Sequence, residues 1–313
     1  MVMQKYVNLS RLMVVVAFSA IGLGSCGNIS SLSVAQTQPA KKTFGDWCRE
    51  KASLSPETKY TVEVLLRRAK TTECDAANQK LSSLTKLDLD NNDISDIKPL
   101  ESLTKLTELS LSRNEISDIK SLESLTELTE LSLNSNQISD IKPLQSLTKL
   151  SFLALDNNQI SDIKPLQSLI ELDYLSLNNN QIRNIQPLQS LTSVILIQLS
   201  SNQISDIKPL ESLTSLTNIN LDNNKISDIK PLQSLTNLTN IGLNNNKISD
   251  IKPLQSLTNL THIGLENNEI SDIKPLELLN KLTGIGLGGN PIAPKTCPLK
   301  PESICNWESV PKP

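Results

Sequence analysis

The stretch LTELTELSLNSNQISDIKPLQS, residues 125–146, decides the fold of this chain. Leu128, Leu131 and Leu133 lead to Asn136 and Ile138, and the whole block recurs with a strict period of 22 residues. A fixed period of roughly 20–50 residues makes each unit one step of an array, so it is read before secondary structure. Working outward, an asparagine marks every step from Leu81 to Asn290: Asn92, Asn114, Asn136, Asn158, Asn180, Asn202, Asn224, Asn246, Asn268 and Asn290. Ten rungs in register, without an insertion, exclude chance.

The pattern inside a unit dictates its geometry. Leu109 and Leu111 alternate with Glu108, Ser110 and Ser112, the two-residue period of a strand with one buried face. Beyond the asparagine, Ile116, Ile119 and Leu122 fall at every third position, which fits a 3₁₀-like turn. A proline recurs there (Pro99, Pro143, Pro165, Pro187, Pro209, Pro231, Pro253, Pro275); it would break a central strand but suits a tight helical start. Each unit is predicted to be a short strand plus a compact convex segment, able to bury its leucines only against its neighbours. With parallel strands ~4.8 Å apart, ten units make a curved array of roughly 45 Å.

The asparagines read as structural. Their amides can satisfy the backbone groups of the turn that leaves each strand, all along the array. The Ser-Asp pairs, such as Ser95-Asp96 and Ser117-Asp118, read as local caps of the convex turn. Lys98, Lys120 and Lys142 form a basic column beside them.

The frame LTxLxxLxLxxNxISDIxPLxxL, carried by residues 125–147, resembles the 22-residue leucine-rich repeats of the bacterial internalin type. The resemblance covers about two-thirds of the chain. It implies an α/β solenoid: a leucine-rich-repeat horseshoe with a parallel concave sheet, 3₁₀-like convex turns, a helical N-terminal cap and an irregular C-terminal cap. It says little about the ligand, because this repeat serves many unrelated ones. No immunoglobulin-like module or sortase motif follows Asn290, so host invasion and wall anchoring are not carried over. With its cysteine-bearing ends, the chain looks more like secreted proteins of free-living bacteria, cyanobacteria in particular.

Five segments are expected: residues 1–26, 27–42, 43–80, 81–290 and 291–313. The first reads as an export signal, with Lys5 and Arg11 before an apolar run from Leu12 to Leu23. That run is too short to span a bilayer, which takes roughly 20 apolar residues. Leu23-Gly24-Ser25-Cys26 resembles the bacterial lipobox, which implies lipidation of Cys26. The alternative is an ordinary signal cut later, after Ser33-Val34-Ala35, with Cys26 discarded. Residues 27–42 read as a flexible tether. In 43–80, Ser55-Pro56-Glu57 is a helix start, Val62, Leu65, Leu66 and Ala69 mark one face, and Thr72 followed by Asp75 could open a further helix. Residues 291–313, with Pro291, Pro294, Pro298 and Trp307, read as an irregular plug for the last repeat.

Cysteine parity agrees with export. Removing Cys26 leaves Cys48, Cys74, Cys297 and Cys305, all outside the repeats. Four cysteines allow three pairings, and sequence locality favours Cys48–Cys74 and Cys297–Cys305. Disulfides persist in oxidising compartments. No His lies near them, which weakens a metal reading, and no cofactor is implied.

Scaffold positions are fixed, so ligand information lies where the repeat is broken. The outward column beside the second leucine runs Lys86, Glu108, Glu130, Phe152, Tyr174, Leu196, Asn218, Asn240, His262 and Gly284. Phe152 and Tyr174 are the array's two aromatics and fall on consecutive strands. Leu196 is next, with Ile195 where most repeats carry Thr, and Gln198 is the largest uncharged side chain in its column. Ile170 replaces a Thr, Arg183-Asn184 a Ser-Asp and Gln186 a Lys. Phe152, Tyr174, Ile195, Leu196 and Gln198 are therefore expected to form a binding patch on the concave sheet; drift, or a contact that only stiffens the sheet, is the plainer alternative. The amide-rich Asn218, Asn220, Asn240, Asn244 and Asn245 could suit a glycan, and Gly242, Gly264 and Gly286 are read as leaving the last strands flat. Asp222-Asn223-Asn224 suggests calcium, but the glycine-rich nonapeptide of calcium-binding β-rolls is missing.

The net charge of −3 removes the electrostatic footprint of a nucleic-acid binder. Catalysis fails on inventory: His262 is the single histidine, read as an exposed strand residue, and every Ser-Asp pair is a repeat position. The chain is thus expected to be a monomeric, non-enzymatic module that binds a protein at the envelope or outside the cell. A carbohydrate or envelope-polymer ligand is the alternative, and contact with the membrane is expected only through a lipid anchor.

Overall fold

The computed structural model describes residues 41–308. The export signal, Cys26, most of the tether and residues 309–313 lie outside the described residues. No helix among the described residues is long and apolar enough to cross a membrane.

Eleven short strands form one parallel sheet in sequence order. They are β1 (Lys86–Asp88), β2 (Glu108–Ser110), β3 (Glu130–Ser132), β4 (Phe152–Ala154), β5 (Tyr174–Ser176) and β6 (Leu196–Gln198), then β7 (Asn218–Asn220), β8 (Asn240–Gly242), β9 (His262–Gly264), β10 (Gly284–Gly286) and β11 (Cys305–Asn306). Register follows the repeat, with Leu109 opposite Leu131 and Leu131 opposite Leu153.

Each return from strand to strand runs through a 3₁₀ turn, as at Lys142–Ser146. Such a helix has about three residues per turn, so Ile138, Ile141, Leu144 and Leu147 all point inward, each at most 1% exposed. The amide N–H of Leu144 donates to Ile141 and that of Leu147 to Leu144, both at 3.0 Å. Asp140 Oδ1 accepts the Lys142 N–H at 2.8 Å, so the Ser-Asp pair caps the turn through its carboxylate. Cutting one of these buried leucines to alanine removes about 2–5 kcal/mol.

The asparagine column does what its position predicts. Asn136 Nδ2 donates to the Leu111 and Leu133 carbonyls, each at 3.0 Å, and its Oδ1 accepts the Ile116 N–H at 3.0 Å. Asn114 through Asn268 are each at most 9% exposed. A buried amide is tolerated because its groups are satisfied.

Both ends of the array are closed by disulfide-linked segments, Cys48–Cys74 and Cys297–Cys305. Among the described residues three helices, α1 (Phe44–Arg49), α2 (Pro56–Ala69) and α3 (Cys74–Leu81), precede β1. Ser55 caps α2 with Pro56 in its first turn. Thr58 and Thr61 on α2 donate to the Asp96 carboxylate and carbonyl at 2.5 and 2.7 Å, which pins the helix to the first convex turn. Two details differ from the sequence reading. The residue before α3 is Glu73, not Thr72, and it makes no side-chain cap; Thr71 Oγ1 accepts its N–H instead. The C-terminal segment is not wholly irregular, because Cys305 pairs with Ile285 as β11.

Candidate functional site

The inward residue of each strand is fixed by the core, so its two neighbours lie on the opposite face, although Ala154 and Ser176 there are buried. On β4, β5 and β6 these include Phe152, Tyr174 and Leu196, which stand opposite one another in register. The Phe152 and Tyr174 rings stack, with centroids 4.4 Å apart and planes 8° from parallel. All three side chains, and Gln198, are half-buried rather than fully exposed. Ile195 is 45% exposed and Ile170, in the turn leading to β5, is 57% exposed.

Ile195 also interrupts a hydroxyl ladder at the rim of the sheet. Thr107, Thr129, Thr239, Thr261 and Thr283 each donate Oγ1 to the carbonyl one repeat earlier, at 3.1 Å. Asp173 and Ile195 occupy that column beside Tyr174 and Leu196 and have no hydroxyl to donate. The scaffold gives up two bonds where the apolar patch sits.

Side-chain hydrogen bonds also link the repeats where the chain leaves each strand, before and after β6. A second polar ladder runs through Asp90, Asn134, Asp156, Asn178, Asp222 and Asn244, whose side-chain oxygens accept the N–H one repeat later at 2.7–2.8 Å. This ladder was missed in the sequence, although its column carries mainly Asp, Asn and Ser and could have shown it. Gly242, Gly264 and Gly286 do not leave the last strands flat. A Cβ on Gly264 would lie 2.5 Å from Asn244 Nδ2, and one on Gly286 would lie 2.7 Å from Glu266 Oε1. The neighbours' side chains fold over these glycines and fill the space.

The amides expected to meet a glycan are largely engaged. Asn218 and Asn240 accept the Thr239 and Thr261 hydroxyls, Asn220 accepts the Asp222 N–H, and Asn245 accepts from Asn267. Burial pushes the Asp222 carboxyl above its ordinary value, against opposing hydrogen bonds from Asn244. His262 is exposed between the Thr261 and Thr283 hydroxyls. Hollows on the convex side are lined by Asp140, Lys142, Asp162 and Lys164, positions common to most repeats. Leu278 is a further break that the sequence reading passed over: it replaces a serine of the convex turn and is 59% exposed.

The family described as Leucine Rich repeats (2 copies) matches residues 82–124, 126–168, 192–234 and 236–278. The chain belongs to the leucine-rich-repeat family. Its repeats are of the internalin type. An internalin of Listeria monocytogenes, internalin F, is 32% identical over 77% of this chain and 80% of its own, with a TM-score of 0.64. Internalin C2 of the same organism is 30% identical, covering 72% of this chain and 91% of its own, with a TM-score of 0.59. A leucine-rich-repeat protein of Leptospira interrogans is 26% identical over 72% of each chain, with a TM-score of 0.56. A comparison with curated proteins gave no match. The family matches step over residues 169–191, the leucine-rich repeat that holds Ile170, Tyr174, Arg183, Asn184 and Gln186. Of the patch residues Tyr174 falls in that stretch, whereas Phe152, Ile195, Leu196 and Gln198 lie inside matched segments.

Proposed function

We propose that this protein is a non-enzymatic protein–protein interaction module that binds its partner through the concave sheet, with Phe152, Tyr174, Ile195, Leu196 and Gln198 at the contact. The observation that carries the reading is the stacked Phe152–Tyr174 pair, continued by Leu196 and the exposed Ile195, where the rim ladder is interrupted. Aromatic and apolar anchors of this kind dominate binding energy at protein interfaces. The partner lies at the cell envelope or outside the cell. Two disulfides fit an oxidising compartment, and the signal-like residues 1–26 supply export, with Cys26 as the lipid-bearing residue. The array is read as a monomer made of a helical cap (43–80), repeats (81–290) and a terminal cap (291–313).

The test is capture from an envelope extract, with wild-type protein beside a Phe152/Tyr174/Leu196→Ala triple variant of unchanged circular dichroism. A partner held by the wild type and lost from the variant is the expected result; identical retention sinks the reading. Cys26→Ser should move the protein from the membrane to the soluble fraction and abolish incorporation of labelled fatty acid. Unchanged fractionation would leave the later cleavage as the better account.

A further inference from the structure

The apolar patch is flanked by acids on the β3 side and in the segment that leads into β5. Glu130 on β3 is exposed and stands opposite Phe152 in register. Asp173 is exposed, and its carbonyl accepts the N–H groups of Ile195 and Leu196 at 2.9 and 3.1 Å. Glu171, beside Ile170, is exposed as well. Nearby acids are matched, Glu108 by Lys86 at 2.5 Å and Glu127 by Lys149 at 2.7 Å. Among the described residues Glu130, Glu171 and Asp173 make no ion pair, and β4, β5 and β6 hold no Lys or Arg. Lys86, already paired with Glu108, also feels the Glu130 charge, but from two strands away. A negative flank without direct ion pairs beside an apolar centre attracts cationic partners and disfavours anionic ones.

The stacked rings add direction. Their planes are nearly parallel and they lie on successive strands, so the ring normals run along the array. The second face of Phe152 is therefore turned toward β3, where Glu130 stands. A guanidinium in that gap would stack on the ring and pair with the carboxylate, which an arginine does better than a lysine. The gap between Tyr174 and Leu196 lies two strands further on, about 10 Å at ~4.8 Å per strand. A polyproline-II chain, with three residues per turn and about 3.1 Å of rise per residue, crosses that distance in about three residues and returns to the same face.

From this geometry we infer that the occupant is a polyproline-II segment of a partner protein carrying arginine three residues from an aliphatic side chain, with the arginine between Glu130 and Phe152. The inference rests on the protein-binding reading above and names the chemistry of the partner.

Short random peptides displayed on phage, selected on the purified protein, test it. Enriched peptides should carry arginine in that spacing, bind about tenfold more weakly to Glu130→Gln, and weaken further as salt rises. They should be lost from the Phe152/Tyr174/Leu196→Ala variant and unaffected by Glu127→Gln. Enrichment of acidic or arginine-free peptides, equal binding to Glu130→Gln, or no enrichment above the triple variant overturns it. So does self-association of the protein that the triple variant abolishes, or capture of glycans at this face with no peptide selected. If the triple variant loses the envelope partner while the peptides lack arginine, the protein-binding reading stands and this inference alone fails. If neither partner nor peptide distinguishes the variant, both fail.

Discussion

Strands β4 to β6 and strands β7 to β10 have the same register and the same branched aliphatic core, yet their solvent faces differ. In the first group Phe152, Tyr174 and Leu196 stand up from the sheet, two of them stacked at 4.4 Å. In the second, Asn220, Asp222, Asn244 and Glu266 lean over glycines that could not carry a Cβ without displacing them. The difference teaches that the two sides of a repeat strand vary independently. Alternation sends successive side chains to opposite faces, so the inner column can hold the fold while the outer one changes chemistry.

The sharpest test of that shared scaffold is the asparagine column. Asn180→Ala and Asn246→Ala each strip a buried Ile N–H, Ile160 or Ile226, and two or more carbonyls of their partner. Each should cost about 3 kcal/mol or more, by the same amount in both regions, read from urea midpoints. A clear inequality between the two would show that the regions do not share one scaffold. Next in size is the outer column. Gly264→Ala should destabilise by about 1–2 kcal/mol by driving Asn244 from its hydrogen bond with the Glu266 N–H, 2.8 Å long. Ser132→Ala, at the equivalent place on β3, should stay within about 0.5 kcal/mol. Equal effects would mean that the glycine floor is not tightly covered.

The smallest expected effect is a pH dependence from Asp222. A carboxyl whose pKa is raised on folding holds its proton more tightly in the folded state. Stability then falls as pH rises from the ordinary 3.8 through the raised value. Asp222→Asn, an amide the column already holds at Asn134, Asn178 and Asn244, should lessen that loss between acid and neutral pH, followed by Tm. Asp46 acts in the opposite sense. Thr43 and Arg49 hold it at about 2, and its contribution disappears as pH falls from 3.8 toward 2. It is present in both proteins, so their difference isolates Asp222. A parallel pair of pH profiles would remove the burial argument.

Most of the fold was legible because each rung has identical neighbours. Once Leu109, Asn114 and Ile119 are seen to recur, sequence period and spatial contact are the same thing. The patch was legible in part: Phe152, Tyr174 and Leu196 share a column, and the register places them side by side. Their half-burial, the stacking of the rings and the lack of a direct ion pair at Glu130 among the described residues were not written in spacing.

The sequence by itself therefore determined the repeat, its inward leucines, its asparagine ladder and, through locality, the two disulfide pairs. Tertiary structure alone decided the covered glycines of β8 to β10, the pairing of Cys305 as β11, and the stacking of Phe152 on Tyr174. The physical reason is one of constraint. Inward side chains have a single place to go, set by a period of 22, whereas those on the solvent face can lean toward either neighbour and take whatever space the adjacent strands leave.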